Sequence, residues 1–150
     1  MVMKNSYALI TGASSGIGLE IAKDLAGRGY NLILTARRTE LLESISKEIS
    51  EANNVNVDLI SKDLSNYDAP REIFEFCESK NYKVDILINN AGYGIKTSFH
   101  QTSIEDEEAF IRVLGTSVIM LTKLFIPKML ESGSGKITVS YTHLRAHETI

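Results

Sequence analysis

At 150 residues the chain is sized for one domain with a core of its own, and its 43% hydrophobic and 23% charged content is that of a globular protein. A net charge of −3 supplies no basic face for a phosphate backbone and argues against a nucleic-acid partner. No apolar run is read as reaching the roughly 18 residues that span a bilayer, and the start has neither the long apolar stretch nor the cleavage site of a signal peptide. Cys77, the one cysteine, cannot form an internal disulfide, so the expected compartment is the reducing cytoplasm.

Short apolar runs alternate with helical patterns along the chain. Ala8-Leu9-Ile10 reads as a first buried strand, followed by a helix with Ile17, Ile21 and Leu25 on one stripe and Gly27 and Gly29 at its end. Leu32-Ile33-Leu34 is a second strand. Thr39 is the expected N-cap of a helix whose apolar face is Leu41, Leu42, Ile45 and Ile49. Val55, Val57 and Leu59 give a third strand, and Pro70 opens a helix carrying Ile73, Phe74 and Cys77. At that spacing Cys77 reads as a buried small hydrophobe.

Val84 to Ile88 form a fourth strand, apolar except for Asp85, and Lys136 to Ser140 begin a fifth. Between them residues 103–131 read as one long helical stretch, with a capping box in Ser103 and Asp106. From Phe110 to Leu130 the pattern is apolar on more than one side, so a sheet must cover one face and a neighbouring helix or second subunit the other. Strands joined by crossovers of about a dozen residues or more pair in parallel, with helices on both faces. The expected fold is a doubly wound α/β sheet.

The first strand runs into Thr11-Gly12-Ala13-Ser14-Ser15-Gly16-Ile17-Gly18. A strand-to-helix turn this tight needs backbone freedom at its first glycine. The middle glycine removes a side chain where a pyrophosphate comes close, and the last lets the helix pack on the strand. The free N–H groups at the helix start then face an anion, with Ser14 and Ser15 adding hydroxyl donors. Its Gly-x-x-x-Gly-x-Gly spacing differs from the Gly-x-Gly-x-x-Gly of two-domain dehydrogenases.

With Thr11 in front, the turn resembles the cofactor motif of the short-chain dehydrogenase/reductase family. Asp85 through Gly92, DILINNAG, resembles that family's fourth strand and its NNAG signature. Asp63-Leu64 matches where its members cover the adenine, and Gly135-Lys136-Ile137 with Val139-Ser140 follows their path into the fifth strand. The resemblance implies a Rossmann-like sheet, here its first five strands, over residues 1–140. It also implies that Asn89 and Asn90 brace a strand end while Asn90, Ala91 and Gly92 border the nicotinamide ribose. The implied cofactor contacts are thus Gly12, Ser14, Ser15, Gly16, Ile17, Gly18, Arg37, Asp63, Leu64, Asn90, Ala91 and Gly92.

An NAD site usually carries Asp or Glu at the end of the second strand, where the ribose 2′-hydroxyl is read. Here no carboxylate lies between Tyr30 and Thr39, and Ala36 is followed by Arg37 and Arg38. Arg37 matches the position where NADP-preferring relatives carry arginine. NADP(H) is the expected cofactor, with NAD(H) left open.

The family's reaction passes a hydride between the nicotinamide and a small carbonyl or alcohol. A tyrosine acts as acid and base with a lysine four residues on, and a serine polarises the substrate oxygen. Ser140 is the expected serine. Leu114 stands where the family carries a relay asparagine. Tyr141 and Arg145 imitate the tyrosine–lysine spacing but follow the strand too closely to fill that role, and residues 141–150 read as a tail foreign to the family. His143 and His147 in that tail have no third ligand, so no metal site is expected.

The reading is therefore an NADP-dependent oxidoreductase, represented by a truncated chain expected to be inactive alone, and a homo-oligomer in full-length form. The alternative is a non-catalytic dinucleotide-binding or association module. Residues 93–101 are placed at the pocket's border. Val113, Val118, Leu121 and Phe125 are expected to be exposed.

Overall fold

The computed structural model describes residues 6–140; the tail 141–150, with Tyr141, His143, Arg145 and His147, lies outside the described residues. Five strands form one parallel sheet in the order β3-β2-β1-β4-β5. They are β1 (Ser6–Thr11), β2 (Asn31–Ala36), β3 (Val57–Ser61), β4 (Lys83–Asn89) and β5 (Lys136–Val139). The helices are α1 (Gly16–Gly27), α2 (Thr39–Asn53), α3 (Ala69–Ser79), α4 (Ile104–Ile111) and α5 (Ser117–Glu131).

Strand alternation feeds two cores. Ala8, Ile10, Leu32, Leu34, Ile86 and Ile88 face α1 and α2, while Tyr7, Leu9, Ile33 and Leu87 face α3 and α5. Because both faces are covered, the central strands are apolar through most of their middle positions. Asp85, the polar exception within Val84–Ile88, occupies a register shift opposite Tyr7 and Ala8. Its carboxylate accepts from Ser6 Oγ at 2.6 Å and pairs with Lys83 at 3.2 Å.

Several local expectations need correction. The buried face of α1 is Gly18, Ala22 and Ala26, not the stripe of Ile17, Ile21 and Leu25. Ile21 and Leu25 are half-buried, and Ile17 is 56% exposed. The cause is close approach: a β-carbon on Gly18 would lie 2.4 Å from the Gly12 carbonyl oxygen, so only small residues fit against the sheet. Arg38, not Thr39, is the N-cap of α2, its carbonyl accepting from Leu42 N–H at 3.1 Å. β3 starts at Val57, leaving Val55 before the strand but packed on the α1–α2 core.

The long helix is two helices joined by a π turn at Arg112–Thr116. Ser103 caps it as expected, its Oγ accepting from Asp106 N–H at 3.1 Å and donating to the Asp106 carboxylate at 2.8 Å. Val113, Leu121 and Phe125 are buried against the sheet and α3, and Val118 is half-buried, contrary to the expected exposed patch. Along the π turn and α5 the exposed large apolar residues are Leu114, Ile119, Ile126 and Leu130, and on α4 they are Ile104 and Ile111. By length and composition the span Ile104–Glu131 is apolar enough to cross a membrane, although no uninterrupted apolar run within it reaches that length. Its burial of Ser117, Leu121, Phe125 and Met129 is that of a helix covering an α/β core.

Candidate dinucleotide-binding site

The strand order reverses between β1 and β4, and ligands of open α/β sheets bind in the crevice at the carboxyl ends of such neighbours. β1 ends there in the glycine turn. Gly12 (φ +66°) and Gly16 (φ +58°) are left-handed, a conformation that L side chains rarely adopt. Beside Gly16 an added β-carbon would meet nothing within 4 Å, so the turn opens on free space.

α1 begins at that opening. Ser15 is extended and makes no side-chain cap bond, and the helix has no acidic residue in its first turn. Its leading N–H groups and the positive end of its dipole therefore face the crevice without a carboxylate to compensate them. This arrangement suits an anion such as a pyrophosphate. Ile17 stands exposed beside it.

The β4 side is held by side-chain bonds. Thr11 Oγ1 accepts the N–H groups of Asn90 and Ala91, both at 2.9 Å. Asn90 Nδ2 donates to the carbonyls of Thr11 at 3.1 Å and Gly12 at 3.3 Å. Asn90 thus braces β4 against the glycine turn, and the bracing half of the expected role is what its amide nitrogen does. Asn89 is buried, with Nδ2 3.4 Å from Thr122 Oγ1 on α5. Gly92 follows at the rim, where a β-carbon would come within 2.9 Å of Leu114 Cδ2.

On the other side, β2 delivers both arginines exposed at its end. Arg38 Nη2 donates to Ser14 Oγ at 3.1 Å, bridging the end of β2 to the glycine turn. The Arg37 guanidinium has no partner among the described residues. Arg38 is the site residue that sequence reasoning left without a role; its contact with Ser14 joins positions 24 residues apart and leaves no trace in local spacing. Asp63 Oδ1 accepts from Ser65 N–H at 2.9 Å and so shapes the turn after β3. Leu64 points its side chain into the core below.

Ser140 lies at the end of β5, half-buried, its N–H donating to Asn89 O at 2.9 Å. Cys77 is buried in the core, and burial, reinforced by Glu78, pushes its thiol up to about 12. It is no nucleophile at neutral pH. Among the described residues no three His, Cys, Asp or Glu side chains form a metal-holding group.

The short chain dehydrogenase family profile matches residues 6–141. The chain is 36% identical over 136 residues to a very-long-chain 3-oxoacyl-CoA reductase of Kluyveromyces lactis, covering 86% of this chain and 38% of that one. Its fold superposes with a TM-score of 0.83 on a short-chain dehydrogenase of Sphingobium yanoikuyae in complex with NADPH, at 31% identity, covering 89% of this chain and 52% of that one. A metagenomic short-chain oxidoreductase in complex with NADP superposes equally well, TM-score 0.83, at 32% identity over 90% of this chain and 61% of that one. The chain thus spans between about two fifths and three fifths of the length of these relatives. With the glycine turn, the braced NNAG corner and the strand order in agreement with that match, the chain belongs to the short-chain dehydrogenase family.

Proposed function

We propose that the chain holds NADP(H) in preference to NAD(H), as the cofactor-binding part of an oxidoreductase acting on a small carbonyl or alcohol. The observation that carries the preference is the arginine pair at the end of β2. Arg37 is exposed and unpaired among the described residues, Arg38 is tied to the glycine turn through Ser14, and no carboxylate stands at residues 30–39. A carboxylate there would accept from a ribose 2′-hydroxyl, whereas guanidinium donors match a phosphate bidentately and keep their charge at every physiological pH. The NADPH and NADP bound by the Sphingobium and metagenomic relatives support the same choice.

A nicotinamide dinucleotide supplies, when bound, the ring carbon that gives or takes the hydride. The chain's own residues hold and orient. The α1 N–H groups with Ser14 and Ser15 face the pyrophosphate, while Gly12, Gly16 and Gly18 keep its path clear. Asp63 and the backbone of Leu64 border the adenine, and Ile17 and the Asn90-Ala91-Gly92 corner border the nicotinamide ribose. Ser140, fixed through its N–H to Asn89, offers its hydroxyl to a substrate oxygen. The 3-oxo group in the Kluyveromyces relative's named substrate supports a carbonyl as the reacting group; that relative's very-long-chain acyl-CoA is not a small molecule. Assembly as a homo-oligomer in the cytoplasm, through the outward face of α5, completes the reading.

Calorimetric titration tests the cofactor assignment. NADPH binds the chain more tightly than NADH. Arg37→Ala costs about 1.5–3 kcal/mol for NADPH, the scale of a charge-assisted hydrogen bond, and leaves NADH nearly unchanged. Equal losses for the two cofactors would remove Arg37 from the 2′-phosphate site.

A further inference from the structure

Leu114 takes no part in holding phosphates or adenosine, yet its position is specific. It rides on the π turn Arg112–Thr116 between α4 and α5. Such turns push residues out of helical register and concentrate at functional sites. The residue is 43% exposed and so open to a ligand in the crevice. It leans over the rim of the crevice: its Cδ2 is the atom that a β-carbon on Gly92 would meet at 2.9 Å.

Gly92 continues the corner that Thr11 fixes through the N–H groups of Asn90 and Ala91. Next to Gly92, Tyr93 packs edge-on against Phe110, ring centroids 5.4 Å apart, and extends the apolar surface along α4. The nearest charge on the π turn is engaged elsewhere, Arg112 pairing with Glu108 at 3.0 Å and reaching Ser65 O at 3.5 Å.

Direction along the crevice decides what this surface faces. The adenosine end belongs with Arg37, Arg38 and Asp63 beside β2 and β3, and the phosphates with α1. The nicotinamide end therefore lies on the β4 side, against Gly92. We infer that Leu114 is an apolar wall of the cofactor site at its nicotinamide end, shedding water from that end when the dinucleotide binds. This inference rests on the dinucleotide reading. Leucine at this position contributes dispersion and desolvation and offers no group through which a proton could pass.

The test is nicotinamide fluorescence of NADPH titrated into the full 150-residue chain, with calorimetry on the same samples. Emission of the bound dinucleotide moves to shorter wavelength and gains intensity. Leu114→Asn returns the emission to that of free NADPH while the Kd rises by less than about tenfold, because phosphates and adenosine are held elsewhere. Leu114→Met, apolar and of similar volume, keeps the shifted emission. Should Leu114→Asn not fold, Leu114→Ala takes its place with the same loss expected. Shifted emission retained in the Asn or Ala variant overturns the wall, as does an unshifted parent that binds. A parent that binds no NADPH by calorimetry overturns the dinucleotide reading itself.

Discussion

Thr11 shows how much one side chain fixes at this site. Its Oγ1 accepts two N–H groups from the residues that end β4, and it donates to Ile88 O at 3.4 Å. The residue is buried, so no water replaces a lost acceptor. Thr11→Val keeps the shape and strands two donors, and urea denaturation is expected to show a loss of about 1–3 kcal/mol. Thr11→Ser, which keeps the hydroxyl, recovers most of it; a Val variant as stable as the parent would mean that these N–H groups find partners elsewhere. The glycines and Asn90 were legible in the sequence because backbone geometry restricts which residue types serve there. Arg38 and the outward turn of Leu114 were not. Both depend on contacts between distant positions, Ser14 and Gly92, which no local pattern encodes.

At the scale of elements, the strands and their order of appearance were readable, since buried parallel strands are short apolar runs that their length and the flanking helical patterns set apart. Helix faces were harder. The pattern on α1 favoured its large residues, but helix and sheet approach so closely at Gly18 that the small ones turn inward. The two assignments predict opposite mutational outcomes. With Gly18, Ala22 and Ala26 inside, Ala22→Leu overpacks the interface and lowers stability by about 1–3 kcal/mol. Ile17→Ala, at a position 56% exposed, changes it by no more than about 0.5 kcal/mol. Thermal unfolding of the two variants without ligand measures both, and a larger loss for Ile17→Ala would restore the large-residue stripe. The same problem misled the reading of α5, where a helix apolar on several sides gives periodicity no single face to report.

For the molecule as a whole, the sheet leaves β5 at one edge, with Lys136, Thr138 and Val139 exposed. A cleft lined by Ile126, Met129, Leu130 and Ile137 runs between that strand and the end of α5. With Ile119 beside them, Ile126 and Leu130 make an outward apolar face, and patches of several hundred Å² on this pattern drive association. A strand edge unpaired among the described residues adds to the tendency. The chain is expected to elute from size exclusion as an oligomer or aggregate, and Ile126→Lys with Leu130→Glu to move it toward the monomer. Chemistry should fail independently of assembly. None of the six tyrosines is followed by a lysine four residues on, so the pair that gives the family its general acid and base has no counterpart in these 150 residues. General acid–base catalysis contributes about 10²–10⁴ in rate, and without it no NADPH oxidation above background is expected with small ketones or aldehydes. The association arm and the activity arm separate cleanly. A monomeric double variant that still turns over no ketone supports both arguments. Measurable turnover by the parent chain would place a working acid and base among residues outside the family's pattern, with Tyr141 the first to replace by phenylalanine.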